Sequence, residues 1–284
     1  FIKALIAKYP EHHIISVDTS IYQNAGATIT QQLAYAIAHT NEYFNNFKNA
    51  TLPQIQFITS TGGNYFFEIA KIRALKLLFK TITEAYNTNN TNCTILSYPS
   101  YRNKTIYDYN VNLLRSTTEC MSAILGSSNT ICNLPYDHIY HNSNEFGNRI
   151  ARNQLLVLKH ESAFANVNNP SDGAYYVENI TQQLAENALE IFKLIENGGG
   201  FLAQLKEGTV QRKIKESALK EQEQFDNGSL VLLGTNKHPN EKDKMKHELE
   251  KQPFVTREAR KTLIAPIIAR RLSEKIDKER LDKE

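Results

Sequence analysis

The chain has 284 residues, 41% of them hydrophobic, which is enough apolar material for one large domain or a domain with an appendage. No run of about 18 apolar residues occurs, and the opening FIKALIAKYPEHH lacks the apolar centre and small-residue cleavage site of a secretory signal, so neither membrane insertion nor export is supported. The net charge of +3 is small, and the three cysteines, Cys93, Cys120 and Cys132, form no C-x-x-C pair, which argues against a disulfide framework and for a reducing, cytoplasmic compartment.

The chain opens on Phe1 and reaches strand-like residues within about fifteen positions, so it is expected to be a piece of a longer protein. IISVD (14–18) leads into ATITQQLAYAIAHTNEYFNNF, where Ile29, Leu33, Ala36, Ile37 and Tyr43 share a helical face. IQFITST (55–61) leads through Gly62 and Gly63 into a second helix with Phe67, Ile69, Ile72, Leu75 and Leu78 apolar. CTILSYPS (93–100) precedes a helix over 109–125, and NTICNLPYD precedes one over 145–161. Later come a helix in ITQQLAENALEIFKLIEN stopped at Gly198-Gly199-Gly200, a polar helix around VQRKIKESALKEQEQF, and a strand in SLVLLG (229–234).

Four strand–helix units in succession predict an α/β fold with a parallel sheet and right-handed crossovers, either a β/α barrel or a doubly wound sheet. In both, chemistry gathers at the C-terminal strand ends, here Asp18 to Gly26, Thr59 to Asn64, Tyr98 to Arg102 and Cys132 to Asp137. Residues 236–284 carry 14 Lys and Arg against 10 Asp and Glu, more than the whole positive excess. The signs alternate as on a solvated helix rather than a nucleic-acid surface. Within this tail, Leu263, Ile264, Ile267, Ile268, Leu272 and Ile276 predict a helix starting near Pro266 with an apolar face.

The turns NAGA (24–27) and STGGN (60–64) match no phosphate-loop motif and read as ordinary strand-to-helix turns. Cys132 would need a nearby base to act as a nucleophile; His138 and His141 lie beyond Pro135, with no carboxylate evidently placed to orient them, so a buried, inert cysteine is expected. The same two histidines are spaced as metal ligands can be, but no third ligand can be named, and no metal is expected. N-x-S/T triplets at Asn49, Asn92, Asn103 and Asn179 are what an Asn-rich chain produces by chance.

Several blocks together resemble the adenosylcobalamin-dependent methylmalonyl-CoA mutase family. They are DTSIYQNAGATITQQLAYAIAHTNEYF with its Gly-Ala turn, NYFFEIAKIRALKLLF, FGNRIARNQLLVLKHES, NPSDGAYYVENITQQLAENALEIFKLIENGGGFLAQLKEG and LLGTNKHP, in the family's order over about 14–240. The resemblance implies a TIM (β/α)8 barrel, here incomplete at its N-terminus: residues 1–235 would be the C-terminal part of that barrel and 236–284 a charged helical tail. The family's separate cobalamin domain, with its D-x-H-x-x-G motif, has no counterpart after Gly234. Set in register by RIARN (149–153), the catalytic members' T-Q-S-L-H-T-N falls on SNTICNL (128–134), so Cys132 stands at the position of the catalytic histidine. A thiol cannot reproduce that imidazole's hydrogen bonding. The family's carboxylate-binding arginine falls near TILSYPSY, where no arginine lies, and Arg102 comes several residues too late.

The resemblance therefore implies the small, non-catalytic subunit of a heterodimeric methylmalonyl-CoA mutase, partnered by a large catalytic subunit that holds adenosylcobalamin. This chain would bind no cofactor, beyond possible weak coenzyme A affinity. No catalytic residue is expected; a vestigial pocket would be lined by Tyr22, Gly26, Asn64, Tyr98, Cys132 and Asn133. The alternatives are a diverged active mutase barrel acting on another acyl-CoA, or a regulatory module using an empty barrel. The neighbouring gene would discriminate them.

Overall fold

The computed structural model describes residues 1–47, 52–87, 92–255 and 261–284. Asn49 and residues 256–260 of the tail lie outside the described residues. A short helix α1 (Ile2–Lys8) precedes β1 (Ile15–Asp18), α2 (Ser20–Asn24) and α3 (Ile29–Asn46). β2 (Ile55–Thr61), α4 (Tyr65–Ala85), β3 (Thr94–Pro99), α5 (Val111–Leu125), β4 (Thr130–Ile131) and α6 (Glu145–His160) follow. Four more helices complete the order: α7 (Tyr175–Asn197), α8 (Phe201–Lys206), α9 (Thr209–Asp226) and α10 (Glu274–Leu281). Sequence signals set several boundaries. Thr28 and Gln31 form a reciprocal capping box at the start of α3, and the Asn144 side chain accepts from Gly147 N at 2.7 Å to start α6.

The fold is α/β, with a parallel sheet in the order β1-β2-β3-β4 and no reversal among the four strands. Val17 pairs in register with Phe57, and Phe57 with Ile95. All three are fully buried and pack against Ile37, Ile72, Leu75 and Phe79 of the crossover helices. Helix α7 lies over α3 and α4 and adds Ile180, Leu184 and Ala188 to this core. The opposite face of the sheet is different: Ser16 is exposed, and Asp18, Gln56, Ile58, Leu96 and Tyr98 are half-buried. A parallel sheet usually buries both faces, so this alternation marks a face covered only in part by the described residues.

Three expectations change. β4 is only two residues long. SLVLLG forms no strand: its one bridge joins Leu233 to Lys237, because the Asn236 side chain ties the run into a loop, accepting from Leu232 N and donating to the Phe225 and Leu230 carbonyls. Among the described residues of the tail, no helix forms at Pro266 and the one helix begins at Glu274. Between them the backbone amides are spent on the body of the protein, Arg270 N on Asn24 O and Leu272 N on Arg102 O, rather than on the preceding turn. The apolar stripe is divided accordingly: Leu272 is buried with Phe225 and Leu232, Ile267 packs on the aromatic cluster described below, and Leu263 is exposed.

Candidate functional site

The C-terminal strand ends carry a chain of polar side chains. Asp18 closes β1 and accepts from Ser20 N at 3.0 Å and Ser20 Oγ at 2.5 Å. Tyr98, at the end of β3, donates its hydroxyl to Ser20 Oγ. Tyr101 meets the Tyr98 ring edge-on with centroids 6.2 Å apart, and its hydroxyl lies 3.2 Å from His138 Nε2. Burial holds the Tyr101 phenol up to about 12, with Tyr98 and Cys132 nearby adding to the shift. Burial likewise raises Tyr98, and lowers His138 below its ordinary value with help from Lys251. At neutral pH the cluster therefore offers neutral hydrogen-bonding groups around one carboxylate.

Beneath it lie two buried ion pairs. Lys71 and Glu68, one turn apart on α4, pair with each other. Lys71 Nζ also donates to Ser60 O at 2.6 Å and Gln23 Oε1 at 2.8 Å, and Gln23 Oε1 accepts from Ser60 Oγ at 3.0 Å. Lys104 pairs with Glu119 at 2.7 Å, and Asn103 donates to the second Glu119 oxygen at 2.6 Å. Burial lowers Lys71 and Lys104 and raises Glu119, while each partner opposes the shift. These pairs tie α2, β2 and the loop after β3 to α4 and α5.

The cation that a carboxylate ligand would need is also committed. Arg102 is buried, and its Nε meets Glu221 of α9 at 2.5 Å while Nη1 donates to Arg270 O at 2.9 Å. Arg115 donates to Leu233 O at 2.6 Å and Asn112 Oδ1 at 2.8 Å. Among the described residues, no basic side chain buried at this end of the sheet lacks a protein partner.

The six residues expected to line one pocket are dispersed. Tyr22 is buried in an aromatic cluster with Tyr35 and Phe201, and burial raises its phenol. Gly26, at φ +94°, faces α9: a Cβ there would meet Ala218 Cβ at 2.5 Å, which leaves the NAGA turn no room for a phosphate. Asn64 is exposed at the start of α4. Asn133 is an anchor for α6, donating to Ala151 O at 3.0 Å and Gln154 Oε1 at 2.8 Å. Only Tyr98 and Cys132 stay with the strand-end cluster.

Two further expectations are corrected. Cys132 is exposed rather than buried: β4 ends at Ile131, the Cys132 backbone N makes a last bond to Ser97 O at 2.9 Å, and the thiol's one hydrogen-bond contact among the described residues is the Asn133 carbonyl at 3.7 Å. A carboxylate does orient a histidine: Asp137 Oδ2 lies 3.0 Å from His141 Nδ1, one helical turn away. Ser20, Tyr101 and His138 are not among the six expected pocket residues, although the sequence places Ser20 and Tyr101 in strand-end segments and offers His138 as a base for Cys132. Asp18-x-Ser20 at a strand end was a legible turn signal, whereas the Tyr101–His138 contact spans 37 positions and left no local trace. Among the described residues no group of three or more His, Cys, Asp or Glu could hold a metal ion, and no helix is long and apolar enough to cross a membrane.

A family profile described as methylmalonyl-CoA mutase matches residues 1–283. The methylmalonyl-CoA mutase small subunit of Porphyromonas gingivalis is 36% identical over 241 residues, which cover 81% of this chain and 39% of that protein. A methylmalonyl-CoA mutase of Rhizobium meliloti is 32% identical over 241 residues, 81% of this chain and 33% of its own length. The methylmalonyl-CoA mutase large subunit of Streptomyces virginiae is 30% identical over 240 residues, 81% and 33% respectively. The chain thus matches only between a third and two fifths of the length of these relatives.

Proposed function

The chain belongs to the methylmalonyl-CoA mutase family, and we propose that it serves there as a non-catalytic small subunit that supports a large catalytic subunit. The complex would interconvert methylmalonyl-CoA and succinyl-CoA, with adenosylcobalamin held by the large subunit, in the cytoplasm. The observation that carries this reading is Arg102. The arginine nearest the strand-end cluster in sequence is committed through Nε to Glu221 and through Nη1 to Arg270 O, so neither of its two bidentate edges is wholly free for a substrate carboxylate. Cys132 in place of an imidazole removes the second group a catalytic member would use.

The same proposal includes the architecture. Four parallel strands in unbroken order, with crossover helices packed on one face and the other half-exposed, are what half of a (β/α)8 barrel presents. We assign residues 1–235 to part of such a barrel and 236–284 to a charged tail packed on it. A residual coenzyme A affinity would belong to the axis of the completed barrel. A diverged, active barrel draws on one observation, the Tyr101–His138 pair, and would need a carboxylate anchor other than Arg102.

Co-purification with the large subunit tests the reading. The expected result is a stable one-to-one complex and no mutase turnover by this chain alone with adenosylcobalamin. Turnover by the isolated chain, or no association, overturns it.

A further inference from the structure

A cavity of about 710 Å3 lies between α9 and the tail, away from the Tyr98–Tyr101–His138 cluster. Its size is that of a small-molecule site. Its charge is one-sided: Arg102, Lys215, Arg270, Arg271, Lys275 and Lys278 line it against the single carboxylate of Glu274. Arg102 and Arg271 have acidic partners, Glu221 and Asp277. Lys215, Arg270, Lys275 and Lys278 are exposed at its mouth and pair with no carboxylate among the described residues.

Arg271 supplies an independent sign. It is only 7% exposed, and its Nη1 is used on Asp277 Oδ2 at 2.5 Å, Ser273 Oγ at 2.9 Å and Lys104 O at 3.2 Å. Its Nε and Nη2 are buried with no acceptor among the described residues. A shielded guanidinium edge without an acceptor is costly unless an oxyanion reaches it. Ile214, Leu219, Ile267 and Ile268 form an apolar part of the wall beside Gln211 and Gln222, with Phe254 beneath Arg271 at 5.9 Å.

We propose that this cavity binds a phosphorylated small molecule, its phosphates held by Lys215, Lys275, Lys278 and Arg271 and its planar or apolar body lying along Ile214, Leu219 and Ile267. The site lies between α9 and the tail rather than at the Tyr98–Tyr101–His138 cluster, so it is independent of whether the chain is catalytic. Because the tail supplies Arg271, Lys275 and Lys278, occupancy would also fasten residues 266–281 to α9.

Calorimetric titration of the chain with ADP and with adenosine tests it. ADP is expected to bind at one site and adenosine not to bind, and the exposed triple variant Lys215→Glu/Lys275→Glu/Lys278→Glu should weaken ADP by at least about tenfold while keeping the native circular-dichroism spectrum. No ADP binding at millimolar concentration, adenosine binding as tightly as ADP, or an unchanged affinity in the folded triple variant would each overturn the proposal.

Discussion

Lys71 sits among the oxygens of Gln23, Gln32, Ser60 and Glu68, all of them buried. A charge so enclosed makes its partner indispensable: removing one member of a buried pair costs about 3–5 kcal/mol, while removing both costs far less. Lys71→Met is therefore expected to destabilise the chain strongly and Glu68→Gln/Lys71→Met to recover much of the loss in urea unfolding; additive losses would mean the pair is not coupled. Cys132 is governed by access. The Cys120 and Cys93 thiols are pushed up to about 12 by burial, whereas Cys132 is exposed. Iodoacetamide should modify Cys132 alone in the native protein, with Cys120 and Cys93 reacting only after unfolding; labelling of Cys120 at the same rate would contradict the described packing. The sequence could place Cys132 at a strand end, but not foresee that its strand would stop one residue earlier and leave it in solvent.

Helix α3 shows how an element carries a pH dependence. His39 stacks between Tyr43 and Phe201, with ring centroids 4.9 Å and 5.4 Å away, and its Nδ1 is buried without a partner among the described residues. Burial lowers its folded-state value below 6.5, against an opposing contribution from Glu42. The unfolded chain thus binds a proton more readily, so this contribution is present above about pH 6.5 and is lost as pH falls through the lower, folded value. Urea midpoints should drop from pH 7 to pH 5, and His39→Phe, which keeps the stack without the titration, should flatten that slope; an equal slope in both proteins would assign the effect elsewhere. Elements with strong periodicity were legible: 55–61 is a strand as expected, and the helices after β1 and β2 fall where their apolar faces put them. The tail was not, because its apolar residues obey tertiary demands. Amides of Arg270 and Leu272 that would have made a helix instead bond Asn24 at the end of α2 and Arg102 after β3.

For the whole molecule, the strand–helix alternation was enough to give a parallel α/β fold, and the winding order followed from the structure. The site was less legible, since four of the six expected residues serve the fold: Tyr22 the aromatic core, Gly26 the seat of α9, Asn64 the start of α4, Asn133 the hold on α6. Local motifs indicate which strand a residue ends, but not whether a later helix has filled the space above it, as α9 and the tail do over Gly26 and Arg102. A scaffold whose strand ends are engaged in this way should tolerate changes there that a working active site would not. The most direct test is the kcat/KM for methylmalonyl-CoA of the reconstituted complex carrying Cys132→Ala or Tyr98→Phe in this chain. The account predicts values within about twofold of the unaltered complex, and a loss of about tenfold or more, with the complex still assembled, would contradict it.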